Sequence, residues 1–144
     1  MTNPTHASGI ELFDRWTAYW NEDYAQAGAI MAPNFTLHYA QAGGERFDSI
    51  HTPEQMTEII KAWHTMRKNI VFKPEGECVV DLTESDGGLT GLVARPYFVA
   101  YDGDDGERVS RSGTDILKIA DGKIVEVWSV SSGVQGRTFY PVVA

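Results

Sequence analysis

Apolar positions in the first third of the chain recur at intervals of three and four. Ile10, Leu12, Phe13, Trp16, Tyr19 and Trp20 form one such stripe, the spacing that lays one face of a helix against a core. Ser8-x-x-Glu11 has the form of a capping box and predicts that this helix starts there. A polar break at 21–23 leads into a short second helix through Ile30 and Met31, ended by Pro33. Residues 35–40 then read as a short strand. After Gly43-Gly44, Thr52-Pro53-Glu54-Gln55 supplies an N-cap, a proline at the first helical position and a glutamine at the third. Met56, Ile59, Ile60 and Trp63 are the buried stripe of the helix that follows.

Beyond residue 68 the pattern becomes that of strands. Runs near 69–73, 77–83, 89–101, 108–119 and 123–131 are rich in Val, Ile, Leu and aromatic residues. Asp86-Gly87-Gly88, the loop 102–106 and Asp121-Gly122 separate the later ones and are hairpin signals. Helices first and a meander afterwards predict an α+β fold, with the N-terminal helices packed in the concave face of a curved antiparallel sheet. No repeat or linker divides the chain, so 1–144 is expected to be one domain. Alternation in 108–119 puts Val109, Arg111, Gly113, Asp115, Leu117 and Ile119 on one face. In 123–131, Ile124, Trp128 and Val130 are expected to face away from Val125, Val127 and Ser129. The last strand is thus apolar on both sides, which a sheet solvated on one side is not. The outer face, with Ile116 and Trp128 near its centre, is expected to meet a second copy in a homodimer.

Composition narrows the function. Twenty acidic against twelve basic residues give a net charge of −8, and no basic stripe interrupts it, so nucleic acid and anionic membrane surfaces are disfavoured partners. The N-terminus has no signal-peptide pattern and no apolar run is long enough to span a bilayer, which predicts a cytoplasmic location. Cys78 is the only cysteine, and no histidine–carboxylate motif points to a metal. Neither a phosphate-cradling nor a dinucleotide-binding glycine pattern is present, so no cofactor is expected. Four Trp, six Tyr and six Phe in 144 residues suggest an aromatic-lined pocket for a small, largely apolar molecule.

The stretch Gly113-Thr114-Asp115-Ile116-Leu117-Lys118-Ile119-Ala120-Asp121-Gly122-Lys123-Ile124-Val125-Glu126-Val127-Trp128 resembles the nuclear transport factor 2-like superfamily, also called SnoaL-like. The order of elements extends that resemblance over nearly the whole chain. It implies a cone-shaped α+β roll that hosts cyclases, isomerases, dehydratases, epoxide hydrolases and non-catalytic binders. Set against ketosteroid isomerases, Asp115 matches the fourth-strand acid, Tyr39 falls at the base position and Trp16 near the helix-one tyrosine. SnoaL-type polyketide cyclases carry an acid/base Asp directly after the last-strand Trp, where this chain has Ser129. Against limonene epoxide hydrolases, Arg95 lies near the arginine position, and Tyr97 and Ser129 occupy the two carboxylate positions. The first third resembles scytalone dehydratase: Tyr19 and Tyr39 stand at the separation of its two pocket tyrosines, with Asp23, Ala32-Pro33 and Pro96 also aligning. The two histidines of that family fall near Asn69 and on Tyr97.

Asp115, mid-strand among apolar neighbours, must be desolvated, paired or protonated. Its two readings are a catalytic acid/base and a buried ion pair with Arg95 or Arg111, and Arg95 is expected within ion-pair reach on the same face. Tyr19, Tyr39, Tyr97 and Tyr101 are inward by spacing and parity, either as donors to a substrate oxygen or as core aromatics. His38 falls outward. His64, near a helix end beside Trp63, is the one histidine that suggests acid/base work. The combined expectation is cofactor-free acid/base chemistry of a dehydratase, isomerase or cyclase on a cyclic carbonyl substrate. Tyr19, Tyr39 and Asp115 would be catalytic; Trp16, Trp63, His64, Arg95, Tyr97, Val127 and Ser129 would line the substrate site. A non-catalytic ligand-binding or protein-interaction domain is the alternative.

Overall fold

The computed structural model describes residues 4–142. Helix α1 runs Pro4–Trp20, α2 Gln26–Ile30 and α3 Pro53–Met66. The strands are β1 Met31–Tyr39, β2 Val71–Pro74, β3 Val79–Ser85, β4 Gly88–Asp102, β5 Arg108–Ala120 and β6 Lys123–Ser131, with a 3-10 turn at Gly44–Phe47. The order across the curved, unclosed sheet is β1-β6-β5-β4-β2, and β3 also pairs with β4. Fifteen-residue β4 is long enough for both: its first half holds β3 and its second half β2. All pairings are antiparallel except β1 with β6. This is the α+β roll expected, with helices on one face of the sheet.

Two starts and stops differ from the sequence pattern. Helix α1 begins at Pro4, a residue suited to a first helical turn, so Ser8-x-x-Glu11 lies inside the helix and caps nothing. Helix α2 stops at Ile30; Met31 is already extended, and β1 runs through Pro33. A proline is tolerated there because β1 has a neighbour on one side only and its pairing with β6 is interrupted between Met31 and Thr36. The Thr52 cap forms as expected. Gln55 N–H donates to Thr52 Oγ1, and Gln55 Oε1 accepts from the Thr52 N–H.

Phe13, Trp16 and Tyr19 of α1 and Met56 and Ile60 of α3 pack with Leu117, Ile119 and Val127 in a core from which solvent is almost excluded. Each such side chain contributes about 1.5–3 kcal/mol by burial. The β6 alternation departs from a strict period of two. Lys118 pairs with Glu126 but Ile119 pairs with Ile124, so Val125 is an extra residue, a bulge. Ile124 therefore turns inward with Val127 and Ser129 and is fully buried, rather than facing out with Trp128 and Val130. Among the described residues no helix is long and apolar enough to cross a membrane.

Candidate active site

Between the helices and the sheet lies a partly enclosed cavity of about 160 Å³. An apolar cavity of ~150 Å³ suffices to take up benzene. Its inner wall is aromatic: Trp16 and Trp20 from α1, Tyr39 from β1, Phe72 from β2 and Tyr97 from β4. The rings brace one another. Trp20 packs on Phe72 with centroids 5.2 Å apart, and Tyr39 stacks on Phe47 at 3.9 Å. Asp115 and Ser129, cross-strand partners on β5 and β6, meet the cavity on the sheet side. Arg67, Arg111, Gln41 and the 133–134 segment line it elsewhere.

Asp115 is only 6% exposed. Its Oδ2 accepts a 2.9 Å hydrogen bond from the Trp16 indole Nε1–H, while Oδ1 has no hydrogen-bond partner. Burial pushes its pKa up from 3.8 to about 6; the Ser129 hydroxyl, outside regular hydrogen-bond geometry, and the Trp16 N–H pull the other way. The expected ion pair with Arg95 is not made. The two residues are register partners, but the Arg95 guanidinium turns to the Gly76 carbonyl at 3.1 Å and to Asp14 at 3.8 Å, away from the cavity. Nor does Arg111 pair with it, being bonded instead to the carbonyls of Gly133, Ser110 and Val134.

The tyrosines divide. Tyr39 and Tyr97 both line the cavity, and burial holds both phenols protonated, with the nearby Asp115 charge acting in the same direction. Room for Tyr97 comes from its register partner Gly113, where a Cβ would stand 2.5 Å from the phenol oxygen. Tyr19 does not join them. Its hydroxyl shares a 2.8 Å hydrogen bond with Thr57 Oγ1 and donates to the Pro53 carbonyl at 3.3 Å, so it fastens α1 to the start of α3. The pocket pair expected from the scytalone dehydratase resemblance therefore does not converge. His64 is also structural: Nε2 donates to the Trp20 carbonyl at 2.7 Å and Nδ1 lies 3.3 Å from Glu22. Val127 is packed in the core, behind the wall it was expected to form. Trp16, Trp63, Tyr97 and Ser129 do line the cavity, and His38 is outward, stacked on Trp128.

Four buried side-chain polar atoms among the described residues lack a hydrogen-bond partner: Gln41 Oε1, Trp63 Nε1, Arg67 Nε and Asp115 Oδ1. All four belong to residues lining this cavity. Such atoms are rare in a packed interior, where nearly every buried polar group is satisfied. Here all four cluster in the walls of one cavity. Gln41 and Arg67 carry no motif; the signal for Arg67 is its i, i+4 spacing from Trp63 at the end of α3. No group of three or more His, Cys, Asp or Glu residues that could hold a metal occurs among the described residues.

A family model described as a SnoaL-like domain matches residues 11–127. The chain belongs to the SnoaL-like family. Among solved structures it is similar to IdmH from Streptomyces antibioticus, provisionally named a polyketide cyclase, with a TM-score of 0.66 and 15% identity over 88% of this chain and 93% of that one. A protein from Jannaschia sp. CCS1, provisionally named a SnoaL-like polyketide cyclase, matches with a TM-score of 0.64 and 12% identity over 91% and 90%. A provisionally named isomerase of the SnoaL-like family from Agrobacterium tumefaciens str. C58 gives 0.63 and 14% over 91% and 100%. At these identities the likeness is one of fold. No curated protein sequence matches the chain.

Proposed function

We propose that this protein is a cofactor-free enzyme of the cyclase or isomerase type, in which Asp115 takes a proton from carbon next to a carbonyl of a cyclic, largely apolar substrate. The observation that carries the reading is the unpaired Asp115 Oδ1, buried at the aromatic cavity. A carboxylate with pKa about 6 is mostly ionised at neutral pH yet more basic than a solvated one, the tuning a general base needs. Trp16 fixes its other oxygen, so the free lone pairs have a set direction. Tyr39 and Tyr97, kept protonated, donate to the carbonyl oxygen as it gains enolate charge. The enolate then either recovers the proton from Asp115 at a different carbon, an isomerisation, or attacks a second carbonyl carbon, a ring closure. In the second case that carbonyl's π bond opens to an alkoxide, which takes the proton back from Asp115. The provisional names of the structural neighbours agree with this class. The resemblance to SnoaL-type cyclases places their carboxylate at position 129. Here Ser129 stands there and its cross-strand partner Asp115 brings a carboxylate to the same cavity.

The test is exchange of the α-protons of 2-tetralone in D2O, followed by NMR. The wild type is expected to accelerate exchange over buffer, with a rate that rises through about pH 6 to a plateau, and Asp115→Asn to abolish the acceleration. Equal rates for wild type and variant, or a wild-type rate that falls above pH 6, would overturn the assignment. A purely ligand-binding domain predicts no acceleration at any pH.

A further inference from the structure

The end of the cavity opposite Asp115 has a different chemistry. Among its lining residues the charged ones are Asp115, Arg67 and Arg111, so a chain of net charge −8 presents two cations against one anion there. Neither arginine has a carboxylate within 4.0 Å among the described residues. The Arg67 guanidinium stands over the rings of Trp63 and Tyr101, 4.7 Å from each centroid. With two aromatic rings this close to Cζ, its hydrogen bonds must be made through the N–H groups at its edge. On that edge Nε is buried and unbonded, and the indole Nε1–H of Trp63 is likewise unbonded. Arg111 is close by construction: Tyr101 pairs with Val109, which makes Arg111 its diagonal neighbour, roughly 7–8 Å away. Arg111 and Asp115 share one face of β5 four residues apart, so the two ends are separated by about 13 Å of strand.

From this arrangement we infer that the arginine end is an anion subsite, and that the bound molecule carries a carboxylate held edge-on by Arg67, with Trp63 Nε1–H and the field of Arg111 assisting. A planar carboxylate matches the side-on N–H fork of a guanidinium. A desolvated cation without a counterion in the protein is strongly favoured by one in the ligand. Together with Asp115 the subsite orients the substrate: acid group at the arginines, reacting carbon at the aspartate. This makes the substrate a cyclic carbonyl compound bearing a carboxylate, a statement that rests on the proton-transfer reading, whereas the anion subsite itself does not.

Calorimetry at pH 7.5 with 2-naphthoate and methyl 2-naphthoate separates the two. The wild type is expected to bind the acid roughly tenfold to a hundredfold more tightly than the ester. Arg67→Met, which keeps much of the apolar contact with the rings, should bring the two affinities together. Arg67→Lys, should Arg67→Met not fold, should weaken the acid and leave the ester unchanged. Equal affinities in the wild type, a preference that survives Arg67→Met, an acid affinity unchanged by Arg67→Lys, or no binding of either compound at millimolar concentration would overturn the subsite. Asp115→Asn should retain the preference. A wild type that prefers the acid but does not accelerate tetralone exchange removes the proton-transfer reading alone, and one that accelerates exchange without that preference removes the anion subsite alone.

Discussion

At Asp115 function and stability oppose one another. The folded pKa of about 6 lies above the ordinary 3.8, so the native state holds its proton to higher pH than the unfolded chain. Below about pH 4 both states are protonated and the residue is neutral to folding. Between about 4 and 6 the unfolded chain ionises first, and stability falls as pH rises. Above that the loss levels off at about 3 kcal/mol. Asp115→Asn, which can keep an oxygen on the Trp16 N–H, is therefore expected to stabilise the protein by up to about that amount at pH 7.5 and by little at pH 4. Urea unfolding at the two pH values measures this; equal stabilities at pH 7.5 would show that the ionised carboxylate is not disfavoured by the fold. The residue was legible in the sequence because a carboxylate between Thr114 and Ile116, in step with Leu117 and Ile119, has no ordinary place in a strand. Its partner was not. Strand parity says that Arg95 and Asp115 share a face, but the loop carbonyl of Gly76 that captures Arg95 depends on how β2 breaks before β3.

Among the elements, the α1–α3 junction decides where the Tyr19 hydroxyl goes. Helical spacing correctly put Tyr19 in the core, where it is fully buried. It could not say that the hydroxyl would reach Thr57 and Pro53, since those depend on where α3 starts relative to α1. Tyr19→Phe is expected to destabilise by about 1 kcal/mol through the lost hydrogen bonds, with naphthoate affinity unchanged. A denaturation curve together with calorimetry checks both, and weakened binding at unchanged stability would return Tyr19 to the pocket. Tyr97 was found by parity within a long strand, where direction is fixed by the ladder itself. The bulge at Val125 breaks that parity: one extra residue reverses the face of Ile124, and nothing in an apolar run announces it.

For the whole molecule, element order and hairpin signals carried most of the fold, because each β-strand from β3 onward neighbours the next and its turns are written in Asp and Gly. The parallel return of β1 to β6 is a long-range pairing that local pattern does not encode. Outer-face residues Ile116, Trp128 and Val130 are 38%, 37% and 43% exposed, a patch that a second copy is proposed to cover, as their apolar character on an outward face suggests. Trp128→Glu would then bury an unpaired charge at the contact and is expected to yield a monomer. Light scattering of both proteins at micromolar concentration measures it, and a monomeric wild type would remove the dimer.

Gly113 has a consequence for how this protein can change over time. Its added Cβ would stand 2.5 Å from the Tyr97 phenol oxygen and 2.6 Å from the backbone carbonyl of Val130. The first neighbour could swing aside, but the second belongs to the sheet. No small step in sequence therefore leads away from glycine without moving β6, and the gap between Arg111 and Asp115 on β5 is inherited as a unit with the strands around it. Ala42 and Val134, by contrast, border the cavity from segments outside helix and strand, where substitution leaves the ladder untouched. Descendants of this chain would be expected to diversify in what they admit by revising that rim, while the reacting end stays as it is.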